Sequence, residues 1–417
     1  MQPAHRPDQR PTASTEWRAH WPLTLSAMVG FSTIGLQSYG FGAFAGPVEQ
    51  AFGWTRAQTM IGLTVALIPG IFLNMLVGLF VDRFGSRRVA LAGLFGMSGT
   101  FALLGTATGT QANWWLLWIG IAFSVVLVQS TVWMGPIAAR FDKSRGLAMA
   151  VALSGAPLAA MIQPKLATWL IDLVGWRHAF MAVGAIWLVV ALPITFKWFH
   201  DPPARTQTAA PGPALVPALR GLKFSEGIRT RAFWGLVVSF AAFSFYNMTI
   251  STNLMLMLGE KGIAPAQAAN LFVVLGIVGF AARLSVGFLL DRYPGHIIGM
   301  CTQLLPVLAS GLLLLDNPGI GVLFAVVSMF GLATGAEIDV VIYQATRHFG
   351  LKAFGALFSG VITFGALFAA IGPYAAGWLF DRTASYNSVL VVVMLLMAAG
   401  ALGMLSTGRA KRDWGAD

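Results

Sequence analysis

Gly78-Leu-Phe-Val-Asp82-Arg83-Phe-Gly85-Ser-Arg87-Arg88 stands between two apolar runs, residues 57–80 and 89–107. Each run has about the length a helix needs to cross the hydrocarbon core of a bilayer. The stretch between them packs one aspartate and three arginines into a turn bracketed by glycine. Strands are excluded, because neither run alternates polar with apolar residues. Two membrane helices joined by a short cationic loop remain.

The same pattern continues in both directions. About twelve apolar runs follow one another, at 22–46, 57–80, 89–107, 113–137, 147–172, 178–199, 232–258, 267–290, 297–315, 318–344, 353–380 and 387–407. The fifth and sixth meet at the short turn Val174-Gly175-Trp176-Arg177. Residues 200–231, rich in Pro and Ala, form the longest interruption and predict a surface linker. The expected organisation is a tail (1–21), a six-helix bundle (22–199), the linker (200–231), a second bundle (232–408) and a short tail (409–417). The fold class is thus an all-α polytopic membrane protein of twelve transmembrane helices in two six-helix repeats. The polar N-terminal twenty residues run into a full-length span, which predicts no cleavable leader.

Composition agrees. Of 417 residues, 57% are hydrophobic and 10% charged, where soluble domains carry about 25% charged residues. Soluble enzymes and nucleic-acid binders are therefore set aside. The single cysteine, Cys301, excludes a disulfide framework. No nucleophile–base set, phosphate loop or cluster of metal ligands is present in the sequence, so neither enzyme activity, cofactor nor metal is expected.

The charges report topology. With both termini on one side, the loops of that side hold 21 of the 27 Lys and Arg residues. The opposite loops hold only Arg56, Arg177, Lys261 and Arg382, while Lys165 and Arg283 lie within spans. That bias places both termini in the cytoplasm and accounts for the net charge of +11 without a nucleic-acid partner. A monomer in a bacterial inner membrane is expected.

An offset of 209 residues superposes the halves. Gly78, Asp82 and Arg83 fall on Gly287, Asp291 and Arg292, and Gln58 on Gln267. Gly146 falls on Gly355, and Pro164, Trp169, Leu170 and Asp172 on Pro373, Trp378, Leu379 and Asp381. Two parallel six-helix repeats suit rocking about a site at the midplane.

At this point the chain resembles the major facilitator superfamily, whose signature loop has the form and position of the Gly78–Arg88 stretch. The second copy, Gly287-Phe-Leu-Leu-Asp291-Arg292-Tyr-Pro-Gly295, is degenerate. The resemblance implies a conformational latch formed by Gly78, Asp82, Arg83, Gly85, Arg87 and Arg88, with Asp291 and Arg292 as its second-half counterpart. An aspartate near a helix terminus can hold a cation or a helix dipole in one access state and release it in the other. Three further stretches are similar to the oxalate/formate antiporter-like and monocarboxylate porter branch. They are Arg140-Phe-Asp-Lys143-Ser-Arg145-Gly146 with Gly175-Trp176-Arg177-His-Ala-Phe180, Phe52-Gly53-Trp54-Thr55-Arg56, and Arg347-His-Phe349-Gly350. They imply transport of small organic anions, with protons or a counter-anion as the coupled species.

Arg283 is the residue on which that chemistry rests. It lies in mid-span, roughly 12 Å along the helix from Asp291 at 1.5 Å per residue. An ionisable residue at that depth is costly and is a functional candidate, and its planar fork fits a carboxylate. The resemblance implies the same, since in the porters an arginine at this place contacts the substrate. Its repeat mate is Asn74. Tyr246 and Asn247 match Gln37 and Ser38 by the same offset, and with Tyr39 and Gln129 they are candidate cavity lining, as is Trp133. Glu337 and Asp339 are candidate proton carriers, Glu337 first as the more buried, or else both belong to a cytoplasmic charge network with Arg83, Arg140 or Arg347. Trp114, Trp115 and Trp118 read as an interfacial belt, and Lys165 as a snorkelling residue.

Departures narrow the expectation. Gly279 replaces the aspartate that animal monocarboxylate porters have four residues before the arginine, and Gln37-Ser38-Tyr39 replaces their first-span lysine. Span eleven lacks the second cation of the oxalate exchanger. One central cation favours a monoanion. The alternatives are an exporter of drugs or hydrophobic compounds and a ligand sensor that moves nothing.

Overall fold

The computed structural model describes residues 12–201, 221–350 and 352–410, with the side chains of 74–76 excepted. Among these residues the chain is helical throughout, and the one β-bridge, Gly221 to Gly350, ties the end of the linker to the loop after span ten. Ten helices are long and apolar enough to cross a membrane. One of them, Arg145–Trp198, contains a left-handed residue at Gly175 (φ 75°) that bends it back on itself, so it makes two crossings. The first apolar run, 22–46, lies in a segment interrupted at residues 32–41 and is not among these ten.

The helices are α1 (Ala13–Phe31), α2 (Gly42–Phe52), α3 (Arg56–Phe84), α4 (Ser86–Leu103), α5 (Gln111–Val126), α6 (Ser130–Ala138), α7 (Arg145–Leu153) and α8 (Gly155–Trp198) in the first half. The second half has α9 (Phe224–Gly227), α10 (Arg231–Glu260), α11 (Pro265–Arg292), α12 (Gly295–Leu313), α13 (Ile320–Phe349), α14 (Phe354–Thr383) and α15 (Asn387–Thr407). Helix α1 begins at Ala13, inside the stretch expected as a tail, with Thr12 capping it through Thr15 N–H.

The two repeats differ in one consistent way. Spans one, four and five are each broken, at residues 32–41, 127–129 and 154, whereas their mates α10, α13 and α14 are continuous. The sequence explains this locally. Gly35, Gly40 and Gly42 interrupt span one, and the matching stretch of α10, residues 244–251, contains no glycine. In span five Pro157 has no N–H to offer the carbonyl of Leu153, four residues earlier. Its mate is Ala366.

Each half buries its own apolar core. Tyr39, Ala159 and Ala160 cross over to join the core of the second half, and Met248 joins that of the first. The outward surface is apolar: the repeat mates Leu79 and Phe288 are 64% and 72% exposed, as expected where lipid replaces water. The tryptophans correct the sequence expectation. Trp114 and Trp118 are fully buried, and Trp114 Nε1 donates to Thr59 O at 3.1 Å; only Trp115 faces outward, at 43% exposure. Trp133 is likewise packed inside the first half, where it fills the space over Gly30, and does not line a cavity.

The halves meet mainly on the side away from the termini, here the far side. Asp381 in α14 accepts from the N–H groups of Arg56 and Ala57, both at 3.0 Å. Thr64 donates to Ala370 O at 2.6 Å. Gly377 lies so close to this contact that a Cβ there would stand 2.8 Å from Ala57 N. On the termini side a cleft of about 370 Å³ runs between the halves, lined by Ile71, Gln129–Thr131 and Phe358–Ala366 residues.

Candidate functional site

Arg283 sits in the seam between the halves, its side chain 9% exposed. Its Nη1 donates to Leu153 O at 3.0 Å. That carbonyl belongs to the first half and is the one Pro157 leaves without a helical donor. Its Nε lies 3.4 Å from Asp339 Oδ2 on α13. One guanidinium thus joins a broken helix of the first half to a carboxylate of the second at mid-depth. About two turns away on the same helix, Gly276, packed against Pro157 O and Met161, lets α11 and α8 approach closely.

Of the expected residues, Tyr39 crosses from the first half into the core of the second, which also holds Tyr246. Tyr39 is buried in the π-helical stretch Leu36–Gly40. Tyr246 in turn interacts with Tyr39 and donates to Phe330 O at 3.1 Å. Asn247 Nδ2 donates to Thr334 at 3.2 Å. Gln37 is buried with its Oε1 unpaired.

The other expected residues lie elsewhere. Gln129, in the break of span four, lines the termini-side cleft. The side chain of Asn74 lies outside the described residues. Glu337 is completely buried inside the second half, where Gln303 Nε2 (2.7 Å), Thr302 Oγ1 (2.9 Å) and Ser239 Oγ (3.3 Å) donate to it. It does not reach the seam. Glu337 is the more buried of the two acids, as the sequence predicts, and its partners all lie within the second half. Asp339, with its side chain 32% exposed, touches both Arg283 and open space.

The signature loop is laid out around Gly85, whose φ of 83° needs glycine. Asp201 presses on Gly85 and accepts from Arg87 N at 3.1 Å, and Arg87 Nη2 donates to Phe196 O at 2.6 Å. Gly78, Asp82, Arg83 and Arg88 are exposed, as are Asp291 and Arg292. Among the described residues no hydrogen bond or ion pair joins Asp82 to the second half. Lys165 is exposed too.

Three functional groups escaped the sequence reading. Asp201 accepts as above, while its own carbonyl and that of His200 accept from Arg140 (2.7 and 2.9 Å). Glu16 receives the N–H groups of Asp142, Lys143 and Ser144 and the Ser144 hydroxyl, at 2.9–3.2 Å. The third is the Glu49–Arg56–Asp381 group on the far side. The offset had marked Asp381, but only as a repeat position.

Known proteins are similar along almost the whole chain. A transcription regulatory protein, OpdE, of Pseudomonas aeruginosa is 25% identical over 88% of this chain and 89% of its own length. The 3-(3-hydroxy-phenyl)propionate transporter of Escherichia coli is 27% identical over 90% of this chain and 89% of its own. Monocarboxylate transporter 13 of Bos taurus is 24% identical, covering 93% and 88%. Among solved structures a D-xylose-proton symporter superposes with a TM-score of 0.73 at 15% identity, over 95% of this chain and 98% of that one, which establishes the likeness of fold. The family model of the Major Facilitator Superfamily matches residues 27–349. With that match, two similar halves and helices built to span a membrane, the chain belongs to the Major Facilitator Superfamily.

Proposed function

We propose that this transporter carries a small organic anion, a monocarboxylate, with Arg283 as its anchor. The observation that supports this reading most is the position of Arg283: a fixed cation at mid-depth, held between the two halves by groups that a carboxylate can replace. Leu153 O is a neutral acceptor, and the Asp339 contact is a single ion pair longer than a hydrogen bond. A substrate carboxylate offers the guanidinium two charge-assisted hydrogen bonds in parallel. Tyr39, Tyr246, Asn247 and Gln37 supply polar groups around it. Two relatives whose names specify carboxylate substrates support the class.

Asp339 is the coupling residue in this reading. A proton on Asp339 dissolves the ion pair and frees Arg283 for the substrate, so proton and anion travel together. Exchange of one anion for another is the alternative mode. With the basic loops in the cytoplasm, the structure is open inward, and the exposed Asp82 loop is the latch in its released position. In the opposite state Asp82 closes against the second half while the far-side contacts part. A sensor without flux draws only on the name of the Pseudomonas relative, and the Asp339 carboxylate, which a cationic drug would need, is already paired with Arg283.

The deciding experiment is uptake of a labelled panel (lactate, pyruvate, formate, oxalate, an aromatic acid) into proteoliposomes, with and without an inward proton gradient. Uptake of a monoanion by the parent, abolished in Arg283→Gln with the protein still folded, is expected. Equal uptake by both would reject Arg283 as anchor. Silence across the panel would favour the exporter or the sensor.

A further inference from the structure

On the far side, Glu49 stands beyond the first apolar run, at the end of α2, its side chain 14% exposed. Its Oε2 is 3.7 Å from Arg56 Nε, too long for a hydrogen bond, and its Oε1 is buried with no partner. Arg56 is occupied elsewhere. Its guanidinium lies over Phe380 at 4.3 Å and donates to the Tyr386 hydroxyl at 3.3 Å. Tyr386 in turn donates to Asn253 at 3.1 Å, and its N–H goes to Glu260 at 2.9 Å. Asp381, the second carboxylate near Glu49, spends both oxygens on the first N–H groups of α3. The groups facing Glu49 are therefore Arg56 from its own half, and Asp381 and Tyr386 from the other, with Glu260 behind Tyr386. Glu49 and Asp381 thus stand in one closed joint, with the Arg56 guanidinium facing Glu49 and Asp381 held by backbone N–H groups.

We propose that Glu49 is a proton-binding site that governs the far-side closure: with its carboxyl protonated the joint stays shut, and loss of the proton opens it. The geometry gives the sign. Arg56 and Glu49 belong to the same half, so they remain together when the halves part. Asp381, Phe380 and Tyr386 leave with the second half. Opening therefore gives Glu49 water and keeps its cation, while removing the competing carboxylate. Closing does the reverse, and the closed joint carries one negative charge more than it can pair. A proton removes that charge. Burial first, and the nearby Asp381 carboxylate after it, push the Glu49 carboxyl up to about 7 in the closed joint, against the opposing effect of Arg56. A group raised in the closed state stabilises it at pH below its ordinary carboxylate range. That stabilisation is lost as pH rises through about 7.

The inference deepens the transport reading, because it places a titrating group where the proton gradient acts, but it is tested without substrate. Spin labels go on Val174→Cys and Asn317→Cys, exposed far-side positions in opposite halves, in full-length Cys301→Ser protein in lipid nanodiscs. Electron-spin distance distributions are recorded between pH 5.5 and 8.5. Each unit of raised proton affinity is tenfold in the closing equilibrium, so the open fraction relative to closed should grow about tenfold or more across this range. Glu49→Gln should stay closed at every pH, and Glu49→Ala should lose the pH dependence as well. Distances that do not respond to pH in the parent, or a Glu49→Gln protein that titrates like the parent, would overturn the proposal. Failure of the anion reading looks different: the joint would titrate while no anion of the panel crosses the membrane.

Discussion

Arginine at position 283 does something lysine cannot. Its fork reaches Leu153 O and Asp339 in different directions, and a carboxylate can take two of its N–H groups at once. Arg283→Lys keeps the charge and loses the fork, so uptake should fall by about tenfold or more, a loss of roughly 1.4 kcal/mol of binding, in the proteoliposome assay. Asp339→Asn removes the titrating partner. We expect uptake that no longer responds to the proton gradient while exchange of labelled for unlabelled anion continues. An Asp339→Asn protein that still follows the gradient would move coupling to another group. At this scale the sequence was partly legible. A lone arginine in an apolar span declares itself by cost alone. Its partners do not, because Leu153 contributes only a backbone carbonyl and Asp339 lies 56 residues away on another helix. That Glu337 is the more buried of the two acids was legible, but that Asp339 meets Arg283 was not, because depth in a span says nothing of which way a side chain faces.

The breaks in spans one, four and five are the events that matter among the elements. Pro157 leaves one carbonyl open, and Arg283 fills it. Pro157→Ala restores a helical donor to Leu153 O. The expected result is a straighter span five and a protein whose thermal midpoint is unchanged or raised, with slower uptake because Arg283 loses its cross-half contact. Faster uptake would contradict this. The loop after span four depends on a different device. The Lys143 N–H foremost, then the Ser144 and Asp142 groups, hold the Glu16 carboxyl down at about 2 against the raising effect of burial. A carboxyl held below its usual range contributes stability above its unfolded value and loses it as pH falls. Glu16→Gln should therefore lower the melting temperature at pH 7, and the gap to the parent should close between about pH 4.5 and 2. Helix existence was legible from the apolar runs, because a span is set by length and hydropathy. The Glu16 cradle was hidden, since it pairs a residue of the expected tail with three backbone N–H groups 126–128 positions later.

For the molecule as a whole, the far-side joint is a matter of close approach between backbones. Gly377 meets the backbone of Arg56 and Ala57 with no room for a methyl group. Gly377→Ala forces those chains apart, and overpacking of this kind costs about 1–3 kcal/mol. Each half keeps its own core, so the cost should fall on the closure and leave the fold intact. A cysteine-reactive probe should label far-side positions of Gly377→Ala faster than those of the parent. Unchanged labelling would mean that the joint has slack. The two-half architecture was legible from the offset of 209, since Asp-Arg and Pro pairs are rare in apolar sequence. The difference between the halves was not. An offset reports what the repeats share, and the breaks arise where glycine and proline stand in one copy alone.

The mid-depth seam has a mechanical meaning. Where Gly276 touches Pro157 and Arg283 holds Leu153, the transport cycle proposed above has its pivot, roughly halfway through a hydrocarbon layer about 30 Å thick. Equal lever arms make the two mouths complementary. If the halves tilt by about 20° around it, each rim travels about 5 Å, and whatever one mouth gains in width the other gives up.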